Sequence, residues 1–338
     1  MSELVEKVLR YPRLMRTLRD ARAFEAAHPI PASTDGQAQF RMRSAMDLNP
    51  RIGKWISKKA IHQEAPDAWA ISDVNTSRFV DPAEIDTAVA GIRKNGFYVF
   101  KQIVDSSLVT AIRDYAEQAP CQARGFETPQ GTYPRSAPEA GRYDFDEEVS
   151  LRCPEVQEFV SDPGMALVAQ KYLEQPVLMD EVAFWWTTTQ HSEMANLNAQ
   201  LFHQDRDRLS FLKFFIYLTD VNPETGPHVY LSGSHRDIPP SLRGDGRKDD
   251  DAVRAAGLWG NVSEINGPAG SLMAVDTIGL HKGKTPIASD RLALEIEFAT
   301  SLFGAHYERP LLEPTSLMRE RFAQMPWVLQ RYAGSISS

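Results

Sequence analysis

Apolar and polar residues alternate along several short segments in the second half of the chain. Residues 291–298 alternate throughout, which predicts a β-strand with two chemically different faces. One face would carry Arg291, Ala293, Glu295 and Glu297, and the other Leu292, Leu294, Ile296 and Phe298. Residues 211–219 and 270–275 are rich in aromatic and β-favouring types, and a turn-like stretch follows at 222–226. These patterns predict that the core of this half is built from strands.

Helical spacing of apolar residues is found instead near the two ends of the chain. Residues 1–28 predict one or two amphipathic helices, while residues 29–80 contain prolines and charged runs and predict irregular structure. Asp81-Pro82 is a favourable helix start, and residues 315–332 predict a helical tail. We therefore expect an extension at 1–80, a catalytic core at 81–303 and a tail at 304–338. The extension would pack on the core or form a homodimer interface.

Composition restricts the classes of partner and the compartment. The chain has 338 residues, 42% of them hydrophobic, and a net charge of −8, which argues against nucleic acids or anionic membranes as partners. No stretch approaches the roughly 20 apolar residues of a membrane span, and the N-terminus lacks an apolar signal region. Cys121 and Cys153 have no CxxC spacing. Reduced thiols and a cytoplasmic location are expected.

The strongest candidate chemistry is His203-Gln204-Asp205, followed by His281 and then by Arg291. In an extended strand the side chains of His203 and Asp205 share a face. Two histidines and one carboxylate form the facial triad of non-haem Fe(II) oxygenases, which leaves positions open for a co-substrate and O2. An arginine just beyond suits a dicarboxylate such as 2-oxoglutarate, because guanidinium and carboxylate pair through two parallel hydrogen bonds. Alone, each motif is more often a turn or a packed histidine, so the prediction depends on the ordered set.

Residues 81–303 resemble the phytanoyl-CoA dioxygenase family of Fe(II)/2-oxoglutarate-dependent oxygenases. The resemblance rests on residues 85–100, the Phe-His-Gln-Asp run at 202–205, the run at 220–228 and the interval from His281 to Arg291. It also includes Ser-Gly-Ser-His-Arg at 232–236, where Ser232 stands in place of the proline usual in the family.

The resemblance implies a mainly β fold, a double-stranded β-helix (jelly-roll) with flanking N- and C-terminal helices. His203, Asp205 and His281 would bind Fe(II), and Arg291 would bind the far carboxylate of 2-oxoglutarate. Gln204 matches the middle residue of the family's motif, and Phe215 falls where the family often carries a tryptophan near the co-substrate. A carboxylate at position 205 favours hydroxylation over halogenation, because related halogenases carry a small residue there.

Four further residues are candidates for the pocket. Lys213 or Arg142 could hold the co-substrate if Arg291 does not, and Arg142 could also reach an acidic substrate. Trp185 alternates with its aromatic neighbours and could line the substrate pocket, although core packing is the commoner fate of such a cluster. Tyr217 is a further candidate for the same pocket.

The expected function is hydroxylation of a C–H bond in a small molecule, with release of succinate and CO2. Desaturation, cyclisation or epimerisation with the same Fe(II), 2-oxoglutarate and O2 is the first alternative. A non-catalytic jelly-roll binding protein and a cupin-like enzyme that uses another metal are alternatives from other classes. Arg291 argues against both, since a buried guanidinium beside a metal is costly without a carboxylate partner. No sequence motif identifies the substrate.

Overall fold

The structure is a computed structural model and describes most of the chain. It covers residues 3–27, 31, 33–61, 71, 74–126, 130–190, 199–244, 246–307 and 309–336. His191, and most of the segment that immediately precedes the His203 motif, lie outside the described residues.

Eleven strands are present in the described part of the chain. They are β1 (Phe97–Ile103), β2 (Pro120–Ala123), β3 (Gly131–Thr132), β4 (Arg142–Phe145), β5 (Leu178–Thr187), β6 (Phe211–Tyr217), β7 (His228–Leu231), β8 (Val262–Ile265), β9 (Ser271–Val275), β10 (His281–Gly283) and β11 (Arg291–Ala299).

Helices and short 3₁₀ turns surround the strands. The described α-helices are α1 (Glu3–Glu25), α2 (Gly36–Met46), α3 (Ile52–Ala60), α4 (Ile85–Asn95), α5 (Ser106–Gln118), α6 (Glu147–Leu151), α7 (Pro154–Val160), α8 (Pro163–Leu173), α9 (Asp250–Ala255), α10 (Ser316–Gln324) and α11 (Ala333–Ile336). The 3₁₀ turns are Val74–Thr76, Pro82–Glu84, Pro240–Leu242, Trp259–Asn261 and Gln330–Tyr332.

The strands form two antiparallel sheets of unequal size. The large sheet has the order β1-β9-β6-β11-β5-β4-β2-β3, and the small sheet has the order β10-β7-β8. An isolated antiparallel bridge pairs His203 with His281 at the edge of β10. Long crossovers between the sheets, rather than hairpins alone, give the predicted jelly-roll with flanking helices.

The alternation of apolar and polar residues in β11 shows which face of the large sheet packs on the helices and which faces the interior of the barrel. The strand's apolar residues Leu292, Leu294, Ile296 and Phe298 are fully buried in one core cluster, which includes residues of α4, α5 and α8. Its other face carries Arg291, Ala293 and Glu295, which line a cavity inside the barrel. The predicted alternation is confirmed, and it places the polar face of the strand inside the barrel.

The prediction of irregular structure for residues 29–80 is wrong for two segments. Helix α2 begins after Asp35, whose carboxylate accepts hydrogen bonds from the backbone N–H groups of Gln37 and Ala38. Helix α3 follows at Ile52. Their buried residues share a core cluster with barrel residues such as Phe211 and Phe303. Packing against the barrel stabilises both helices, and such a long-range contact cannot be predicted from the local sequence.

The predicted C-terminal helix is shorter than the sequence pattern indicated. Thr315 caps α10 by accepting a hydrogen bond from the backbone N–H of Met318, but the helix ends at Gln324. Pro326 explains the early end, because the residue before a proline is disfavoured in the helical region. Met325 accordingly leaves that region, with φ −140° and ψ 63°.

Two further observations concern the chain as a whole. Within the described residues, no helix combines the length and apolar character needed to cross a bilayer. Cys121 and Cys153 are both buried free thiols, as expected. The domain limits at residues 80 and 303 stay a prediction.

Helix α2 offers a matched pair of substitutions that tests its packing. Met42 is fully buried, whereas Phe40 is 71% exposed. Met42→Ala should lower the free energy of unfolding by about 2–5 kcal/mol, because it removes a buried side chain and leaves a cavity. Phe40→Ala should change it by less than about 0.5 kcal/mol. Urea denaturation followed by circular dichroism measures both, and equal effects would contradict the packing of α2 on the barrel.

Candidate metal centre

Two imidazoles and one carboxylate converge at the small sheet. Nε2 of His203 lies 3.6 Å from Oδ1 of Asp205, and Nε2 of His281 lies 3.6 Å from Oδ2 of the same residue. Ligand atoms of the three residues all lie within 4.8 Å of one another. Ligands about 2.1 Å from a metal and at right angles to each other are separated by about 3 Å. The three groups therefore fit adjacent positions around one ion.

The backbone holds the two histidine segments against each other. The N–H of His203 donates to the carbonyl of His281 at 2.9 Å, and the reverse hydrogen bond measures 3.0 Å. The N–H of Asp205 donates to the carbonyl of Thr277 at 2.9 Å. In place of the regular strand predicted around the motif, the structure has two isolated bridges, from Phe202 to Lys248 and from His203 to His281, and Asp205 lies just beyond them. The shared face predicted for His203 and Asp205 is retained.

The histidine rings are oriented for binding through Nε2. Nδ1 of His203 lies 2.9 Å from the carbonyl of Leu201, and Nδ1 of His281 lies 3.0 Å from the carbonyl of Gly279. A carbonyl only accepts, so each Nδ1 carries the proton and each Nε2 keeps its lone pair. Burial and the neighbouring His281 lower the pKa of His203 to about 3. His203 is therefore neutral at physiological pH, as a metal ligand must be.

Lys213 contacts three acidic side chains beside the triad. Its Nζ lies 3.1 Å from Oδ2 of Asp205, 2.8 Å from Oε1 of Glu295 and 3.4 Å from Oε2 of Glu297. Burial by itself raises the pKa of Asp205, but Lys213 and the two histidines outweigh it and hold the pKa well below its usual value. Burial likewise opposes the charge of Lys213, yet the carboxylates raise its pKa well above normal. The ion pairs keep both groups ionised.

Arg291 lies at the start of β11 and lines the same cavity as the triad. Its guanidinium donates to the carbonyl of Gly226 and, at 3.2 Å, to Oγ1 of Thr187. Its Nε is buried without a hydrogen-bond partner, and burial lowers the pKa of the group. Among the described residues no carboxylate pairs with Arg291. The charge is thus available to a carboxylate that enters the cavity.

All ten residues predicted for the site line a single cavity of about 630 Å³. Gln204 donates to the carbonyl of Ile278 at 2.6 Å and accepts from Arg206 at 2.8 Å, so its amide braces the motif. Phe215 packs edge-on against Trp185, with ring centroids 6.4 Å apart. Tyr217 donates to the carbonyl of Ile265 at 2.8 Å and accepts from the N–H of His228.

Arg142 is held at two points in the cavity wall. Its guanidinium carbon lies 4.2 Å from the centre of the Trp185 ring, and its Nε donates to Asp144 at 2.7 Å. Arg124 pairs with both oxygens of Asp144, at 2.7 and 2.8 Å. Burial lowers the pKa of Arg142 to about 10, so the group stays charged at neutral pH.

Three acidic residues of the site were not predicted from sequence. Glu181, Glu295 and Glu297 bring carboxylate oxygens within 4.8 Å of one another, and the ammonium of Lys213 contacts the last two. The alternation of β11 had placed Glu295 and Glu297 beside Arg291, which was a usable signal. Glu181 faces the cavity from β5, directly opposite Glu297. Desolvation by the cavity wall and the neighbouring acidic groups Glu295 and Asp180 raise the pKa of Glu181 to about 7, although its side chain is open to the solvent of the cavity.

The sequence model of the phytanoyl-CoA dioxygenase (PhyH) family matches residues 92–285. No curated protein matches the chain.

Several solved structures are similar in fold at low sequence identity. The epimerase SnoN from nogalamycin biosynthesis is 14% identical, with a TM-score of 0.47 over 64% of this chain and 84% of SnoN. HygX from Streptomyces hygroscopicus, with nickel and 2-oxoglutarate bound, is 17% identical, with a TM-score of 0.46 over 65% of this chain and 88% of HygX. The carbocyclase SnoK from nogalamycin biosynthesis is 15% identical, with a TM-score of 0.44 over 67% of this chain and 85% of SnoK.

The family match spans more than half of the chain and includes His203, Asp205 and His281. The chain therefore belongs to the phytanoyl-CoA dioxygenase family and is an Fe(II)/2-oxoglutarate-dependent oxygenase.

Proposed function

We propose that this oxygenase hydroxylates a C–H bond of a polar small molecule, consuming 2-oxoglutarate and O2 and releasing succinate and CO2. One observation carries the proposal. The three candidate metal ligands line the same cavity as a buried arginine that pairs with no carboxylate of the described segments. A metal site alone would also suit a cupin-like enzyme, and a jelly-roll binding protein needs neither feature.

In this proposal His203 and His281 bind iron through Nε2, and Asp205 binds it through one carboxylate oxygen. The fit rests on the two Nδ1 atoms, which are already held by backbone carbonyls. Lys213, whose Nζ lies 3.1 Å from Oδ2 of Asp205, would keep that oxygen hydrogen-bonded and leave the other oxygen to bind the metal. Bound iron, with 2-oxoglutarate and O2, supplies the oxidising power that breaks the C–H bond.

Arg291 binds the far carboxylate of 2-oxoglutarate in the proposal. Its role is supported by the unpartnered Nε and by burial, which strengthens a charge-assisted hydrogen bond. Phe215 forms part of the wall beside the co-substrate, and Gln204 positions the metal motif through its bonds to Ile278 and Arg206. Lys213 was also a candidate for the co-substrate, but its three carboxylate neighbours favour the supporting role.

The charge of the cavity wall favours a polar substrate over a long acyl chain. Arg142 stacks on Trp185 on one side, and on another side Glu181 offers a carboxylate that makes no ion pair with the described residues. Burying apolar groups among such charges would leave the charges without water or partners, which is costly. The hydroxyl of Tyr217 is hydrogen-bonded to the backbone at Ile265 and His228. Its ring therefore contributes mainly to the shape of the pocket.

Substrate-dependent succinate release tests the proposed function directly. The iron-loaded protein would be incubated with 2-oxoglutarate, ascorbate and a panel of amino acids, amines, phosphonates and acyl-CoA esters. Stimulation by a polar compound, with a product heavier by one oxygen atom, is the expected result. A product lighter by two hydrogens would indicate desaturation or cyclisation, and an unchanged mass would indicate epimerisation. A homodimer through residues 1–80 and a cytoplasmic location stay predictions.

Asp207, two residues after Asp205, provides a matched control for the proposed metal ligands. Asp205→Asn removes the charge that holds the metal, so affinity for Ni(II) or Fe(II) should fall by at least about 100-fold. Asp207→Asn alters a carboxylate in the same cavity that lies outside the triad, so its effect should stay within about threefold. His203→Ala and His281→Ala should resemble Asp205→Asn. Anaerobic calorimetry measures each affinity, and wild-type binding by Asp205→Asn would disprove the triad.

The co-substrate assignment contrasts two arginines of the same cavity. Arg291→Lys keeps the charge but loses the planar fork, so 2-oxoglutarate affinity should fall by roughly tenfold to a hundredfold. Arg142→Lys should change it by less than about threefold, because Arg142 is assigned to the substrate. Anaerobic titration of the Fe(II) protein, followed by its metal-to-ligand charge-transfer band, gives both constants. The reverse ranking would assign the co-substrate carboxylate to Arg142.

The raised pKa of Glu181 predicts how stability changes with pH. The native pKa of about 7 exceeds the usual carboxyl value of 4.5, so the native state binds the extra proton between these values. Wild-type stability should therefore fall relative to Glu181→Gln as pH rises from about 5 to about 8. Urea unfolding of the metal-free proteins at several pH values measures the difference. A difference that stays constant with pH would contradict the shift.

A further inference from the structure

A second cavity, of about 450 Å³, lies between helix α3 and the outside of the barrel. It shares no lining residue with the cavity that contains the metal triad. Its walls come from α3, the ends of α4 and α8, the start of β6 and the segment around Asp276. Elements distant in sequence therefore build it, and the proposed reaction makes no use of it.

Positive charge dominates the walls of this second cavity. The lining contains five cations, namely Arg51, Lys54, Lys58, Arg93 and Arg236. Asp276 lies in the wall, and burial raises its pKa. Glu174, beside the wall, pairs with Arg93 at 2.9 Å and also with Lys58. Even with both acids ionised, the cations exceed them by three, in a chain whose net charge is −8.

Two of these cations have no acidic partner. Arg51 and Arg236 are both exposed and make no ion pair within the described residues. Lys54 is already engaged, since its Nζ donates to the carbonyl of Tyr172 at 3.0 Å and lies 3.9 Å from Glu174. The free charge of the cavity thus resides in two guanidinium groups, which pair well with the oxygens of carboxylate, sulfonate or phosphate groups.

Aromatic and apolar side chains form the rest of the lining. Trp55 is 45% exposed, which is unusual for a tryptophan, and Tyr172, Phe211 and Ile278 lie deeper in the same wall. An indole face with arginines beside it can bind a planar ring by stacking and its acidic group by charge-assisted hydrogen bonds. An exposed indole or an exposed arginine alone is common on protein surfaces. Together in one concave site they favour a ligand that has both a planar ring and an acidic group.

We propose that this second cavity binds a small planar aromatic anion, such as an aryl carboxylate, sulfonate or phosphate, independently of the catalytic cavity. The ring stacks against Trp55, and the acidic group pairs with Arg51 and Arg236. Because the two cavities share no lining residue, occupation of one leaves the other free.

A pair of fluorescent probes tests the proposal on the full chain loaded with Ni(II) and saturated with 2-oxoglutarate. The anionic probe is 8-anilinonaphthalene-1-sulfonate, and its neutral counterpart is N-phenyl-1-naphthylamine. The anionic probe should bind at least about tenfold more tightly, and added salt should weaken it, because guanidinium–anion attraction is screened. Equal affinity of the two probes would overturn the proposal, as would tight binding of the anionic probe only when 2-oxoglutarate is omitted.

Matched variants locate the bound probe. The double variant Arg51→Glu/Arg236→Glu should weaken the anionic probe by at least about tenfold while leaving the neutral probe within about twofold. Trp55→Ala should weaken both probes, since both stack on the indole. Lys101→Glu reverses an exposed charge outside the cavity and should leave both affinities unchanged. Unchanged binding in the double variant, or equal loss in Lys101→Glu, would refute the assignment. Circular dichroism confirms that each variant is folded.

Discussion

The ion pairs of Lys213 are the interaction on which the interior of the barrel depends. One buried ammonium contacts Asp205, Glu295 and Glu297, and each of these carboxylates would be costly to bury alone. The pairing keeps Asp205 ionised and fixes its position beside the two histidines. The strand register explains the contact, because Lys213 of β6 lies directly opposite Glu297 of β11. A metal ligand is thus supported by residues of the large sheet, while the histidines belong to the small one.

Backbone hydrogen bonds supply the second support of the metal centre. The bridge between His203 and His281 joins two segments far apart in the chain, and the bond from Asp205 to Thr277 joins the third ligand to the same region. Backbone carbonyls also fix both histidine tautomers. The three side chains are therefore oriented before any metal arrives, which reduces the entropy lost on binding. Helices packed on the apolar faces of the large sheet hold this framework rigid.

The two cavities differ in how their charges are balanced. In the catalytic cavity several cations pair with carboxylates, whereas the hydrogen bonds of Arg291 to described residues go to neutral groups. In the second cavity the cations outnumber the acids, and Trp55 is exposed beside them. The first arrangement favours a dicarboxylate at one end and a polar substrate elsewhere. The second favours an aromatic anion. Net charge of the whole chain predicts neither, because each cavity responds to the charges in its own wall.

The sequence by itself determined the strand pattern of the second half, the helix at Asp81 and the set His203, Asp205, His281 and Arg291. These features depend on residue type, spacing and alternation, which act locally along the chain. Helices α2 and α3 and the early end of α10 were not predicted, although Asp35 and Pro326 were available as local signals. Only the tertiary structure decided that Glu181 and Glu295 line the metal cavity, that Lys213 pairs with acidic residues there, and that α3 encloses a second cavity. Those contacts depend on strand register and helix packing, and a one-residue slip in register would send every side chain of a strand to the opposite face.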